Sequence, residues 1–145
     1  MPLKLSTKGR YGLRALIDLA AAHGDGPVLV RSVADNQEIS SKYLHALLAS
    51  LKSAGLVRSV RGSGGGYALA RHPAEIKLSE VIEALEGPLT LVDCVSDAAI
   101  CDRSGRCAAR DIWSTLSETI TDVLAGITLA DLLERQRAKD AGDAA

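Results

Sequence analysis

Residues 40–70 constrain the fold more than any other stretch, because a serine-led leucine helix runs straight into two short extended runs joined by a four-glycine turn. Ser40 and Ser41 open a helix from about Lys42 to Ala54, and Leu44, Leu47, Leu48 and Leu51 recur at i, i+3, i+4, i+7 before Gly55 stops it. LVRSVR at 56–61 is β-branched and alternating, GSGGG at 62–66 is a turn, and YALA at 67–70 returns as a second strand. The pattern predicts a hairpin.

Upstream, STKGRYGLRALIDLAAAH at 6–23 starts with cap-competent Ser6 and Thr7. Leu13, Leu16, Ile17, Ala20 and Ala21 follow at helical spacing, and Gly24 closes the helix. GDGP at 24–27 is a turn, Val28–Val30 a short extended segment, and a short helical piece lies near Ser32–Asn36. Helix, short helix, serine-led helix and hairpin is the order of a winged helix-turn-helix. Aromatics make up only 3% with no Phe, so the core rests on Leu, Ile, Val and Ala, and the fold class is mainly α.

The chemistry of that order suits DNA. A recognition helix enters the major groove with its N-terminal end, and here that end carries Ser40, Ser41, Lys42, Tyr43 and His45. Arg58 and Arg61 precede a turn whose Ser63, Gly64 and Gly65 leave bare backbone free to approach a phosphodiester chain. Charge is divided along the chain. Residues 1–75 carry ten Lys/Arg against five acids, a balance of +5, and residues 76–145 carry seven against thirteen, a balance of −6. The expected polyanion partner, double-stranded DNA, therefore meets the first half.

GSGGG is not a nucleotide-phosphate loop, because no Lys-Ser/Thr follows it and a strand succeeds it where a helix is required. His23, His45 and His72 are isolated in sequence, and nothing places a base beside a cysteine nucleophile, so an enzyme is not expected. The N-terminal apolar run is interrupted by Arg14 and Asp18, which rules it out as a leader or a membrane span. The expected location is the cytoplasm, where thiols stay reduced.

Cys94, Cys101 and Cys107, spaced C-x6-C-x5-C, are the chain's only cysteines, and they share one polar loop of about residues 90–108. Soft ligands gathered in this way suggest a metal centre or redox sensor. Arg103, Arg106 and Arg110 beside them can offset the charge of a thiolate-ligated group. A short helix at Ser79–Leu85 precedes the loop. A long helix from about Ala109 to Leu124 follows it, and Thr128–Lys139 forms a last helix before a frayed tail. Ile112, Leu116, Ile120, Val123 and Ile127 form an apolar stripe suited to a homodimer interface, the alternative being intrachain core.

Over residues 3 to about 134 the chain resembles the Rrf2 family of bacterial transcription regulators. The resemblance rests on LSTKGRYGLRALIDLA, ISSKYLHALLASLKSAGLVRSVRGSGGGYALAR, the cysteine triplet, DIW and ITLADLL. Within that family it resembles iron–sulfur regulators of the IscR and NsrR type. The resemblance implies a homodimeric winged helix-turn-helix repressor or activator, with an iron–sulfur cluster ([2Fe-2S] or [4Fe-4S]) on the three cysteines and dimerisation through the long helix. It also exposes departures. Arg110 stands where IscR has a histidine ligand, the first spacing is x6 rather than x5, and Arg10 stands near the place of an NsrR-type carboxylate. His45 replaces a glutamate that tunes the choice of DNA site in IscR. Asp93, Asp97, Asp102, Asp111 or a small exogenous ligand then become candidates for the fourth position. A zinc-stabilised protein–protein adaptor using the cysteines and His72 is the competing class, and a small redox enzyme a third. The expected organisation is a DNA-binding region at 1–88, a cysteine loop at 89–108 and a dimerisation region at 109–145, all in one compact unit.

Overall fold

The computed structural model describes residues 4–144, so Leu3 at the start of the resemblance lies outside them with Met1, Pro2 and Ala145. The order is α1 Thr7–Ala21, α2 Val30–Gln37, α3 Ser41–Ser53, β1 Val57–Val60, β2 Gly66–Leu69, α4 Leu78–Glu86, α5 Asp93–Ser96, α6 Ala108–Ala125 and α7 Leu129–Ala144. This is the expected mainly α winged helix-turn-helix. The strands pair antiparallel with Val57 opposite Leu69 and Val60 opposite Gly66. The last helix runs on through Ala144, where a frayed tail was expected beyond Lys139.

The core is aliphatic. Leu16 and Leu19 of α1, Leu44, Leu48 and Leu51 of α3, Val81 of α4 and Leu129 of α7 are all fully buried. The leucine stripe expected on α3 is the buried stripe observed. On α1 the expectation is corrected by about one position. Gly9, Gly12, Ala15, Leu16, Leu19 and Ala20 are buried, Leu13 and Ile17 are half-buried, and Ala21 is exposed. The cause is close packing with α4: a side chain at Gly12 would overlap the Leu85 methyls, and one at Gly9 would meet the Glu86 carboxylate. Glycines add nothing to a hydrophobic pattern, so the contact face is displaced from the apolar one.

Helix ends fix how the layers sit. Ser6 Oγ caps α1 by accepting from Lys8 N at 3.1 Å, and Glu86, at the end of α4, accepts from the backbone of Ser6 at 3.2 Å and Gly9 at 2.9 Å. Burial pushes the Glu86 carboxyl up, but donation from the Ser6 hydroxyl and the Gly9 and Ser6 backbone outweighs it, leaving the group below its ordinary value. A lowered carboxylate stabilises the fold fully above the ordinary range of about 4, and that contribution is lost as pH falls through the lowered value. Glu86→Gln should therefore lower stability at pH 7, and the gap to the parent should close towards pH 3. Urea unfolding at the two pH values measures this.

α2 is oriented against α1 by a polar network. Arg14 donates to the Gln37 side chain at 3.0 Å and to its carbonyl at 2.9 Å, while Asp18 accepts from Asn36 and Gln37. α2 ends at Glu38, whose left-handed conformation (φ 56°) turns the chain towards α3. The C-terminal part docks back through backbone bonds from Leu78 N to Ile127 O and from Leu129 N to Ile76 O, both 2.9 Å. No helix among the described residues is long and apolar enough to cross a membrane.

Candidate nucleic-acid interface and cysteine loop

Serine at the N-cap gives α3 its start, since Ser40 Oγ accepts from Tyr43 N at 3.1 Å. Ser40, Ser41, Lys42 and His45 are exposed at that end. Tyr43 is half-buried and set differently. Its hydroxyl shares a 2.8 Å hydrogen bond with Thr7 Oγ1, and its ring meets Tyr11 edge-on, with centroids 6.3 Å apart. Tyr43 thus fixes the start of α3 against the start of α1. Thr7 joins this face from 36 residues away, and no local spacing in the sequence signals it.

The wing is built on the same base. Lys52 of α3 donates to Ser59 Oγ of β1 at 2.8 Å, and the His45 ring lies edge-on to Tyr67 of β2 at 6.5 Å. Val28 adds an isolated antiparallel bridge to Tyr67, with both backbone bonds at 2.8 Å. The extended segment expected at Val28–Val30 therefore stops at Leu29, with Val28 alone in the bridge, because α2 already begins at Val30. Arg58, Arg61, Ser63 and Gly64 are exposed. Gly65 is buried and donates to the Gly62 carbonyl at 3.0 Å, so it shapes the turn. Recognition-helix start and wing thus sit on one scaffold with cationic side chains at both, which is an arrangement that can grip a duplex.

The cysteine loop packs on α6. Cys94 lies in α5, Cys101 follows a 3₁₀ turn at Ala98–Ile100, and Cys107 is the residue before α6. All three are free thiols; Cys101 is exposed and the other two are partly buried. Buried Ser117 of α6 anchors the loop's entry by accepting from Leu91 N at 3.1 Å while donating to Trp113 O at 2.8 Å. Arg110 donates to the carbonyls of Cys94 at 3.0 Å and Ser104 at 3.5 Å. Asp97, one candidate fourth ligand, already accepts from Ala99 N at 3.0 Å, and Asp93, Asp102 and Asp111 are exposed. Among the described residues no three Cys, His, Asp or Glu side chains converge as a metal-ligating group. The soft donors suit a thiolate-bound metal, but in this conformation they do not form a ready-made site.

The histidines correct the sequence reading in part. His23 and His72 are not isolated, since their rings meet edge-on at 5.2 Å. His72 also caps the 3₁₀ turn Pro73–Glu75 by accepting from Ala74 N, and with His23 it lines a cleft against α7. The cysteines are not part of that cleft, so the structure does not bring His72 to them as the optional fourth ligand of a zinc adaptor.

Comparison with known proteins points one way. The family model Rrf2, described as an iron-dependent transcriptional regulator, matches residues 5–135. The HTH-type transcriptional regulator CymR of Bacillus subtilis is 40% identical over 130 residues, covering 90% of this chain and 89% of that protein. IscR of Xenorhabdus nematophila is 38% identical over 141 residues, covering 97% and 85%. Among solved structures, CymR, the global cysteine regulator of B. subtilis, superposes with a TM-score of 0.77 at 40% identity, covering 92% of this chain and 98% of that one. T. potens IscR superposes with a TM-score of 0.75 at 43% identity, covering 94% and 90%.

Proposed function

The chain belongs to the Rrf2 family of transcription regulators, and from that premise we propose a homodimer whose operator affinity is controlled by an iron–sulfur cluster on Cys94, Cys101 and Cys107. That the protein is a DNA-binding transcription regulator and not an enzyme follows from the family. The finer reading is carried by one observation: every cysteine of the chain is free and lies on one loop seated on α6. Residues 1–88 form the DNA-binding region, 89–108 the sensing loop, and 109–145 the dimerisation region. Iron bound there would supply a group that reacts with oxidants or small ligands. The loop supplies three thiolates, with arginines to balance their charge.

On the DNA, Ser40, Ser41 and His45 face the major groove, and Lys42, Arg61, Ser63 and Gly64 follow the backbone. Tyr43 and Gly65 hold these groups from behind. Lys42→Ala should weaken binding to all duplexes alike and reduce the salt slope of binding by about 1. A fluorescence titration across salt concentrations reads both, and an unchanged slope removes Lys42 from the phosphate contacts.

A second reading is sensing by the thiols themselves without metal. The absence of a converged ligand group among the described residues favours it. The visible absorption of protein purified without oxygen decides between the two. Sulfur-to-iron charge-transfer bands that vanish in the cysteine-to-alanine variants support the cluster. A colourless, iron-free protein that still loses operator affinity on oxidation establishes the thiol reading.

A further inference from the structure

Of the three loop arginines, Arg103 and Arg106 are exposed and Arg110 is partly buried. Arg110 sits in the first turn of α6 and reaches back over the loop, where Nε and NH1 donate to the carbonyls of Cys94 and Ser104. Those carbonyls are ten residues apart in sequence, on α5 and at the head of the 3₁₀ turn Ser104–Arg106. The Ser104 hydroxyl is buried without a partner among the described residues; its N–H donates to the Cys101 carbonyl within the loop at 3.2 Å, and its own carbonyl accepts from Arg110 of α6. Ser117 anchors the loop's entry on α6, and Cys107 continues directly into α6. A guanidinium presents its donors in a rigid planar fork, whereas an ammonium is a single flexible point charge. Here the fork reaches the two carbonyls from two nitrogens held at a fixed spacing, Nε and NH1, a geometry that the single nitrogen of an ammonium does not reproduce.

We propose that Arg110 is a positioning residue that staples the cysteine loop to the first turn of α6, so that a change in the state of Cys94 or Cys107 is passed to that helix. The proposal rests on the loop being the sensing element, but the staple itself depends on no bound metal. Arg110 also gives the loop one defined conformation before any ligand arrives.

The test uses the full-length, reduced, metal-free protein. Each cysteine is alkylated under native conditions with iodoacetamide and followed by mass spectrometry, alongside amide hydrogen exchange. In Arg110→Ala, Cys94 and Cys107 should react about tenfold faster, as loss of two charge-assisted hydrogen bonds implies. Exposed Cys101 should react at the parent rate, and amides of Ala108–Asp111 should exchange faster. Arg110→Lys keeps the charge without the fork and should behave like Arg110→Ala. Parent-like rates in Arg110→Ala overturn the staple. Parent-like rates in Arg110→Lys alone overturn the fork and leave only a charge effect. If Arg110→Ala also loses protection in α3, it is unfolding globally and Arg110→Lys decides alone. Because no metal is present, a protein that never binds iron would overturn the cluster and leave this result standing.

Discussion

Ile120→Asp should leave the protein monomeric and lower its affinity for a duplex with two half-sites by about a thousandfold. α6 buries only Ser117, while Ile112, Leu116, Ile120 and Val123 are 56%, 41%, 41% and 58% exposed on one side of the helix. Trp113 borders the stripe, and Glu118 and Asp122 lie on another face. A stripe of that size on a small chain fits a second copy crossing it. The two recognition helices would then meet half-sites about 34–36 Å apart or a multiple of that spacing. One aspartate at its centre places a charge in a desolvated interface. Losing the second half-site removes the avidity of a linked pair, on the order of 10²–10⁴ in affinity. Glu118→Lys changes charge on the polar face and should leave the dimer intact. Light scattering at micromolar concentration with a duplex titration reads both, and a parent protein that is already monomeric sinks the idea.

Gly66→Ala should cost about 2–3 kcal/mol of stability and weaken DNA binding with it. Gly66 opens β2 at φ +147°, a conformation L side chains rarely adopt, and an added Cβ would overlap the Val28 carbonyl. The obstacle is backbone, so no rotamer change relieves it. The chain must give up the Val28–Tyr67 bridge or the β1–β2 register. Either change moves the wing away from α3. A Cβ added at Gly64 would meet nothing within 4 Å beyond its own chain neighbours, so Gly64→Ala should stay within about 0.5 kcal/mol of the parent. Urea unfolding of the two variants separates a required glycine from a permissive one.

What could be read from the sequence was what repeats locally. The α3 stripe Leu44, Leu47, Leu48, Leu51, its Ser40 cap and the hairpin at 57–69 follow from spacing and turn chemistry, and all three are present. What escaped were pairings between distant segments. The Gly9/Gly12 face is legible only once α4 lies against it, and Thr7–Tyr43 joins two helix starts. His23 and His72 meet although they lie 49 residues apart in the sequence. At the loop, residue types named the donors, but the link from Arg110 to two loop carbonyls depends on the fold of α5 and the turn at Ser104. Arg110 was legible as a charge and not as a clamp.

Control of DNA affinity by a metal held on the three cysteines is decided with one duplex, selected from a random-sequence library with anaerobically purified protein. That duplex is titrated with the same protein before and after metal removal, and with the Cys94→Ala, Cys101→Ala, Cys107→Ala triple variant. Metal removal should shift affinity by about tenfold or more, and the triple variant should match the stripped protein and ignore stripping, while all three forms remain dimers. Equal affinity in all three forms would rule out control by a cysteine-bound metal.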